Sequence, residues 1–281
     1  MPQQPTQVTD VPFRWDLVRP DQLGALLNDV PAPDLWFLDE LVAVSGKVLA
    51  RSGGGDLVFV GRSLDSMYDL LSGALAQGAP APELRRLPFG WMSTWTREPL
   101  AARGVLARAG LAPFELARRR RPVAFADVVS SGGTYRDLFG LLRDWVAEER
   151  APWAVVRRKL RFVGVTWRKR TGPDTYRWQQ EADWPRLLPG GAVVNVSLEW
   201  PVWTYLADGQ AKLSWSFRPG GGPGVSAPRH DEAARRALAE AVALVAYGRS
   251  REGRRAVARA TAGEPALAQP WLRSLVTHLN R

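Results

Sequence analysis

The chain has 281 residues, 46% of them hydrophobic and 23% charged, with 38 Lys and Arg against 28 Asp and Glu and a formal net charge of +10. That apolar content can offset the entropy of folding, which excludes a wholly disordered chain, and the absence of cysteine excludes disulfides, thiolate metal sites and cysteine nucleophiles. The positive field favours anionic partners, namely phosphorylated metabolites, nucleic acid or an acidic membrane surface, while two histidines, His230 and His278, argue against a histidine-rich metal centre or triad.

Residues 1–33 read as an N-terminal arm. Its first ten residues, MPQQPTQVTD, are polar and lack the apolar region of a signal peptide. No uncharged apolar run reaches the roughly 18 residues of a membrane span, so a soluble cytoplasmic protein is expected. Leu35, Leu38, Leu41, Val42 and Leu49 recur at helical spacing with Asp34 placed as N-cap, and Ser52-Gly-Gly-Gly55 stops that helix. Asp56-Leu-Val-Phe-Val60 follows as a short, continuously apolar strand, then the turn Gly61-Arg-Ser-Leu64 and a helical pattern through Met67, Leu70, Leu71 and Leu75. A continuous apolar strand suits a parallel sheet buried on both faces. A further strand is expected near Leu84 to Trp91, and a basic helix over 99–120 that ends in Arg118-Arg-Arg-Arg121.

The strand–turn–helix unit then recurs. Val123-Ala-Phe125 opens a buried strand, Asp127 to Thr134 forms a turn, and Tyr135 to about Glu149 a helix whose inner face carries Leu138, Leu141, Leu142 and Trp145. Thr134 and Asp137 have capping-box spacing, with Asp in place of the usual Glu. Alternating strands and helices predict an α/β core, a doubly wound parallel sheet, over 34–166. Beyond it an α+β C-terminal extension is expected: a Trp-rich, strand-containing hood over 167–224 and C-terminal helices over 225–281. Strand-like pieces occur at 160–166, 192–197 and 211–217, the last with Leu213, Trp215 and Phe217 alternating onto one face. Gly220-Gly-Gly-Pro-Gly224 reads as a linker, followed by a helix from Asp231 to Tyr247 with a break at Gly248.

The chemistry concentrates in Val123-Ala-Phe-Ala-Asp-Val-Val-Ser-Ser-Gly-Gly-Thr134. A buried strand there delivers Asp127 to the carboxyl edge of a sheet. A loop of small residues opening a helix then supplies backbone N–H groups and hydroxyls to one point, which suits a phosphate. Asp127 lies too close to that phosphate to bind it as well, and fits sugar hydroxyls or a hydrated Mg²⁺. The competing reading is an incidental Gly-Gly turn.

This run resembles the phosphoribosyl pyrophosphate (PRPP) binding motif of type I phosphoribosyltransferases: an apolar strand, two acids, two apolar residues and a Thr/Ser-Thr/Ser-Gly-Gly-Thr/Ser loop. The resemblance covers about residues 34–166. It implies that Ser130, Ser131, Gly132, Gly133 and Thr134 hold a 5′-phosphate and that Asp127, as the second acid, contacts the ribose and takes the catalytic and metal-binding role, while Ala126 stands where the first acid would be. It further implies a pyrophosphate loop after the preceding strand, for which Gly61, Arg62 and Ser63 are the candidates, Arg62 being suited to bidentate contact with a polyanion. Mg²⁺ would enter through the substrate phosphates. A mobile lid over 92–105, with Arg97 and Arg103, and a base-reading hood containing Arg177, Trp178, Gln179 and Gln180 complete the implied set.

The reading is therefore a PRPP- or nucleotide-binding protein that transfers phosphoribose to a base or amine with release of pyrophosphate. The alternatives are a non-catalytic nucleotide-sensing module, to which Ala126 points, and a nucleic-acid-binding protein, to which the charge points. The expected partner is a phosphorylated small molecule, with no membrane, and a homodimer is compatible with this reading. Trp153, Trp167, Trp178, Trp184, Trp200, Trp203 and Trp215 crowd the extension; base stacking is one use for them and core filling the commoner one.

Overall fold

A computed structural model describes residues 12–76, 82–90, 99–170, 177–214 and 227–281. Five short strands form one sheet: β1 (Asp56–Val60), β2 (Leu84–Leu87), β3 (Val123–Val128), β4 (Leu160–Trp167) and β5 (Val193–Leu198). All neighbouring pairs are parallel and the spatial order is β2-β1-β3-β4-β5. This is one of the two common orders of doubly wound α/β sheets. The α/β class with a parallel sheet thus matches the sequence pattern. β5 pairs with β4 from Phe162 opposite Val193 to Trp167 opposite Leu198, so the boundary expected at 166 cuts the last residue from β4 and parts two adjacent strands of one sheet.

Alternation along each strand feeds two cores. Leu57, Phe59, Ala124, Ala126, Val163 and Val165 point to one face, where α1 (Leu38–Arg51) and α2 (Asp65–Ala74) cover them. Val58, Val60, Val123, Phe125, Leu160 and Phe162 point to the other, under α3 (Pro99–Arg108), α4 (Pro113–Arg118), α5 (Gly133–Glu148) and the short α6 (Trp153–Val156). Strands buried on both faces must be apolar at every position, which is why β1 and β3 read as continuous runs. After β5 come the short α7 (Trp200–Thr204) and a π-turn over Tyr205–Gly209. The chain then adds α8 (Glu232–Arg249), α9 (Arg251–Ala262) and α10 (Pro270–Leu279) outside the first face, with α8 along α2 and α9 along α1. No described helix is long and apolar enough to cross a membrane.

Several local expectations change. α1 starts at Leu38 with Phe37 at its N-cap position, so Asp34 caps nothing. The basic stretch 99–120 is two helices, α3 and α4, parted around Gly110. Thr134 and Asp137 form no capping box, because α5 begins two residues earlier than expected, at Gly133, with a left-handed Gly132 at the N-cap position. Residues 211–214 are not a strand, and Trp91, Trp215, Phe217 and the 220–224 linker lie outside the described residues.

Gly248 does not break the last long helix. It lies inside α8, where a Cβ would sit 2.2 Å from the Leu70 carbonyl oxygen, and Gly73 of α2 meets the Val245 carbonyl equally closely. The two glycines let α2 and α8 touch backbone to backbone. The break falls at Ser250, whose Oγ accepts from Gly253 N at 2.9 Å and caps α9. Gly248→Ala is expected to lower unfolding free energy by about 1–3 kcal/mol, the usual cost of overpacking. Urea melts measure it, and an unchanged midpoint would contradict the close crossing.

Candidate functional site

Strand order reverses beside β1: the chain leaves β1 for β2 on one side, and β3 pairs on the other. Loops leaving the carboxyl ends of β1 and β3 therefore diverge and leave a crevice, the usual ligand position in such sheets. A cavity of about 600 Å³ occupies it. Its walls are Gly61, Arg62 and Ser63 after β1, Arg86, Pro88, Phe89 and Gly90 at the end of β2, and Asp127 with Val128–Tyr135 after β3. Pro12 closes one side, and Trp203, Ala207, Asp208, Lys212 and Ser214 close another.

The β3–α5 loop is held from behind. Val129 N–H donates to the Val165 carbonyl at 2.9 Å, carrying the ladder one residue past the strand. The Tyr135 side chain, from the first turn of α5, is fully buried and its hydroxyl lies 2.9 Å from the Val163 carbonyl and 3.1 Å from that of Phe125. Gly132 has φ +78, and a Cβ there would lie 2.2 Å from Cε3 of Trp178. Trp178 is itself buried, and its Nε1 donates to Asn195 Oδ1 at 2.9 Å. No side chain caps α5, so its first backbone N–H groups and the positive end of its dipole are presented toward the cavity.

Asp127 ends the buried part of β3, opposite Gly164. Burial pushes its carboxyl well above the usual carboxylate range, opposed by the Val128 N–H and by the charge of Lys212. Arg62 donates from Nη1 to the Ser214 carbonyl at 2.7 Å. Burial lowers its pKa, the charge of Asp65 acts the other way, and that of Arg229 adds to the lowering. Lys212 donates from Nζ to Gln210 Oε1 at 2.8 Å and to the Leu206 carbonyl at 3.0 Å. Its pKa is pushed down to about 8 by burial, with Arg62 and Arg14 adding to the effect and Asp65 and Glu240 opposing it. Behind this wall, Asp65 takes Arg14 at 2.8 Å and Arg86 at 3.5 Å, and Arg14 also pairs with Asp69.

The structure thus brings Gly61, Arg62, Ser63, Asp127, Ser130, Ser131, Gly132, Gly133 and Thr134 to one cavity. It does not bring Arg177, Trp178 or Gln179 there. Trp178 backs Gly132 from inside the core, and Gln179 accepts from Asn195 Nδ2 at 2.9 Å. Arg103 is engaged elsewhere, paired with Glu148 at 2.6 Å on the outside of α5, and Arg97 lies outside the described residues. Sequence reasoning missed Arg86, Trp203, Asp208 and Lys212. Lys212 carries no local signal, since it sits on the polar side of what reads as an alternating strand.

Among the described residues no three acidic or histidine side chains gather as a metal cluster. Asp127, buried and driven toward its neutral form, is a poor partner for the hydrated Mg²⁺ ion, which demands ionised oxygen ligands and keeps several waters. The described residues therefore do not make a Mg²⁺ cage at this cavity. No family model matches the chain, and neither a curated protein nor a solved structure matches it.

Gly132→Ala combines a left-handed backbone with a collision against Trp178, and should cost about 2–4 kcal/mol in denaturant melts; a loss within error would contradict the packing. Lys212 gives a pH signature. Its folded pKa lies below the ordinary lysine value of 10.5, so between about 8 and that value the unfolded chain binds more protons and stability rises with pH. Relative to Lys212→Met, the wild type should gain on the order of 2 kcal/mol between about pH 7 and pH 10. A pH-independent difference in urea melts would show that Lys212 is not buried as a cation.

Proposed function

We propose that the chain binds a phosphorylated ribose, as PRPP or a nucleotide, in the crevice between β1 and β3, and acts as a phosphoribosyltransferase-like protein. The observation that carries this is the convergence on one cavity of the Ser130–Thr134 loop, the uncapped start of α5, the Gly61–Ser63 turn and the buried Asp127. In this reading the 5′-phosphate takes the backbone N–H groups at the start of α5. Asp127, one strand-end away, bonds the ribose hydroxyls in either protonation state, and Arg62 meets the pyrophosphate end. Transfer joins a base or amine nitrogen to ribose C1 as the C1–O bond to pyrophosphate breaks. The bonding electrons leave with pyrophosphate, and the nitrogen releases its proton to solvent. Positioning and charge stabilisation supply the catalysis. Mg²⁺ in this reading rides on the ligand's phosphates.

A second reading, a nucleotide sensor without transferase activity, is favoured by Ala126. It is fully buried, in register with Phe59 and Val163, and its side chain faces the α1–α2 core away from the cavity. An acid at that position would be driven into apolar packing, so the missing acid is built into the fold. The sensor reading expects binding without release of pyrophosphate, whereas the transferase reading expects release once an acceptor base is added.

Calorimetric titration with PRPP and Mg²⁺ tests both. The wild type should bind below millimolar concentration, and Asp127→Asn should bind about threefold to tenfold more weakly, the scale of one hydrogen bond. Absence of binding at millimolar ligand would overturn the proposal.

A further inference from the structure

Three basic side chains line the cavity, and the fold treats them differently. Arg86 shares Asp65 with Arg14, so its charge has a carboxylate partner. Arg62 and Lys212 form no ion pair among the described residues; their hydrogen-bond partners are the neutral oxygens of Ser214, Leu206 and the Gln210 amide. Burial is the main cost to both charges; Arg62 adds to it at Lys212 and Arg229 adds to it at Arg62, while Asp65 opposes it at both. Two cations on one cavity wall whose hydrogen bonds go to neutral acceptors keep their charge available to a multiply charged anion, with Asp208 as the acidic side chain of the same wall.

The Gln210 amide is fixed in the orientation that serves Lys212. Its Nε2 donates to Glu240 on α8 and to Ser66 on α2, and Glu240 also accepts from the Tyr205 hydroxyl. A carboxylate only accepts, so the amide nitrogen must face Glu240 and the amide oxygen must face the ammonium. Arg229 holds the same segment from the far side, donating from Nη1 to the Lys212 carbonyl at 3.1 Å. An ammonium has three N–H donors, and two of those on Lys212 are spent on Leu206 and Gln210. Among the described residues nothing takes the third, which can meet a ligand.

We propose that Lys212, from the segment after β5, joins Arg62 at the pyrophosphate end of the cavity and contributes its own N–H and charge to the ligand's diphosphate, with Glu240 as a positioning residue acting through Gln210. The proposal rests on the preceding reading that the ligand is phosphorylated, and adds to it a contribution from the segment 205–214, beyond the strand–loop units that resemble the motif.

Calorimetry with inorganic pyrophosphate and with ribose 5-phosphate separates the two ends of the cavity. The wild type should bind both. Lys212→Met and Arg62→Met should each weaken pyrophosphate about tenfold or more, the scale of one charge-assisted hydrogen bond, while ribose 5-phosphate stays within about twofold. Glu240→Gln should give a smaller loss, again confined to pyrophosphate; an equal change on both probes would mark Glu240 as merely structural and remove it from the proposal. If Lys212→Met does not fold, Arg62→Met decides, because Arg62 is only half-buried and bonded to one backbone carbonyl. Unchanged pyrophosphate binding in the folded variants, or equal losses for both probes, would overturn the pyrophosphate end as proposed. A wild type that binds ribose 5-phosphate but not pyrophosphate would also overturn it and leave the phosphoribose reading standing. A wild type that binds neither would overturn both.

Discussion

The reversal of strand order beside β1 governs the rest of this molecule. In a parallel sheet each strand end opens into a loop, and neighbouring loops normally lean the same way over the same face. Here β2 lies on one side of β1 and β3 on the other, so the segments after β1 and β3 part and leave a space that neither face can fill. Everything that lines the cavity follows from that gap: the Gly61–Ser63 turn on one lip, the Val129–Thr134 loop on the other, and Asp127 between them at the end of a strand whose earlier residues are all buried.

Holding such a gap open requires rigid backing, and the tryptophan-rich part of the chain supplies some of it. Trp178 fills the space left by the missing side chain of Gly132, near the Tyr135 ring, with ring centroids 5.8 Å apart. Trp184 stacks on Phe139 of α5 at 4.9 Å, and Trp203 packs at the other edge, where its Nε1 donates to the Val165 carbonyl. Trp178 and Trp184 are bulk placed behind a loop rather than platforms for a base, while Trp203 also lines the cavity. The exception is Trp200, about half exposed and stacked on Trp203.

The electrostatics follow the same division between surface and site. Much of the positive charge is ordinary: Arg118, Arg120 and Arg121 lie on the surface, and Arg119 is neutralised by Asp56. The charge that bears on the cavity is small in amount and expensive in burial. Arg86 is paired with Asp65, but Arg62 and Lys212 are held by carbonyls and one amide, which leaves their positive potential available.

The strands β1 and β3 were legible because burial on both faces writes a nearly unbroken apolar run into the sequence, and the two turns were legible because glycine and hydroxyl residues cluster directly after those strands. Helix ends were less so. Asp34 and Thr134 had the right spacing to cap, but neighbouring packing chose Phe37 and a left-handed Gly132 instead. Gly248 looked like a break because close contact between two helices demands the same missing side chain as a chain reversal does. The sequence by itself determined the α/β class, the parallel sheet and the two strand–turn–helix units, all encoded in patterns a few residues long. Tertiary structure alone decided that β5 joins the sheet, that Trp178 packs behind the loop it was expected to face, and that Lys212 reaches a cavity built mainly by residues far earlier in the chain. Those outcomes depend on contacts between segments distant in sequence, and no local periodicity records such contacts.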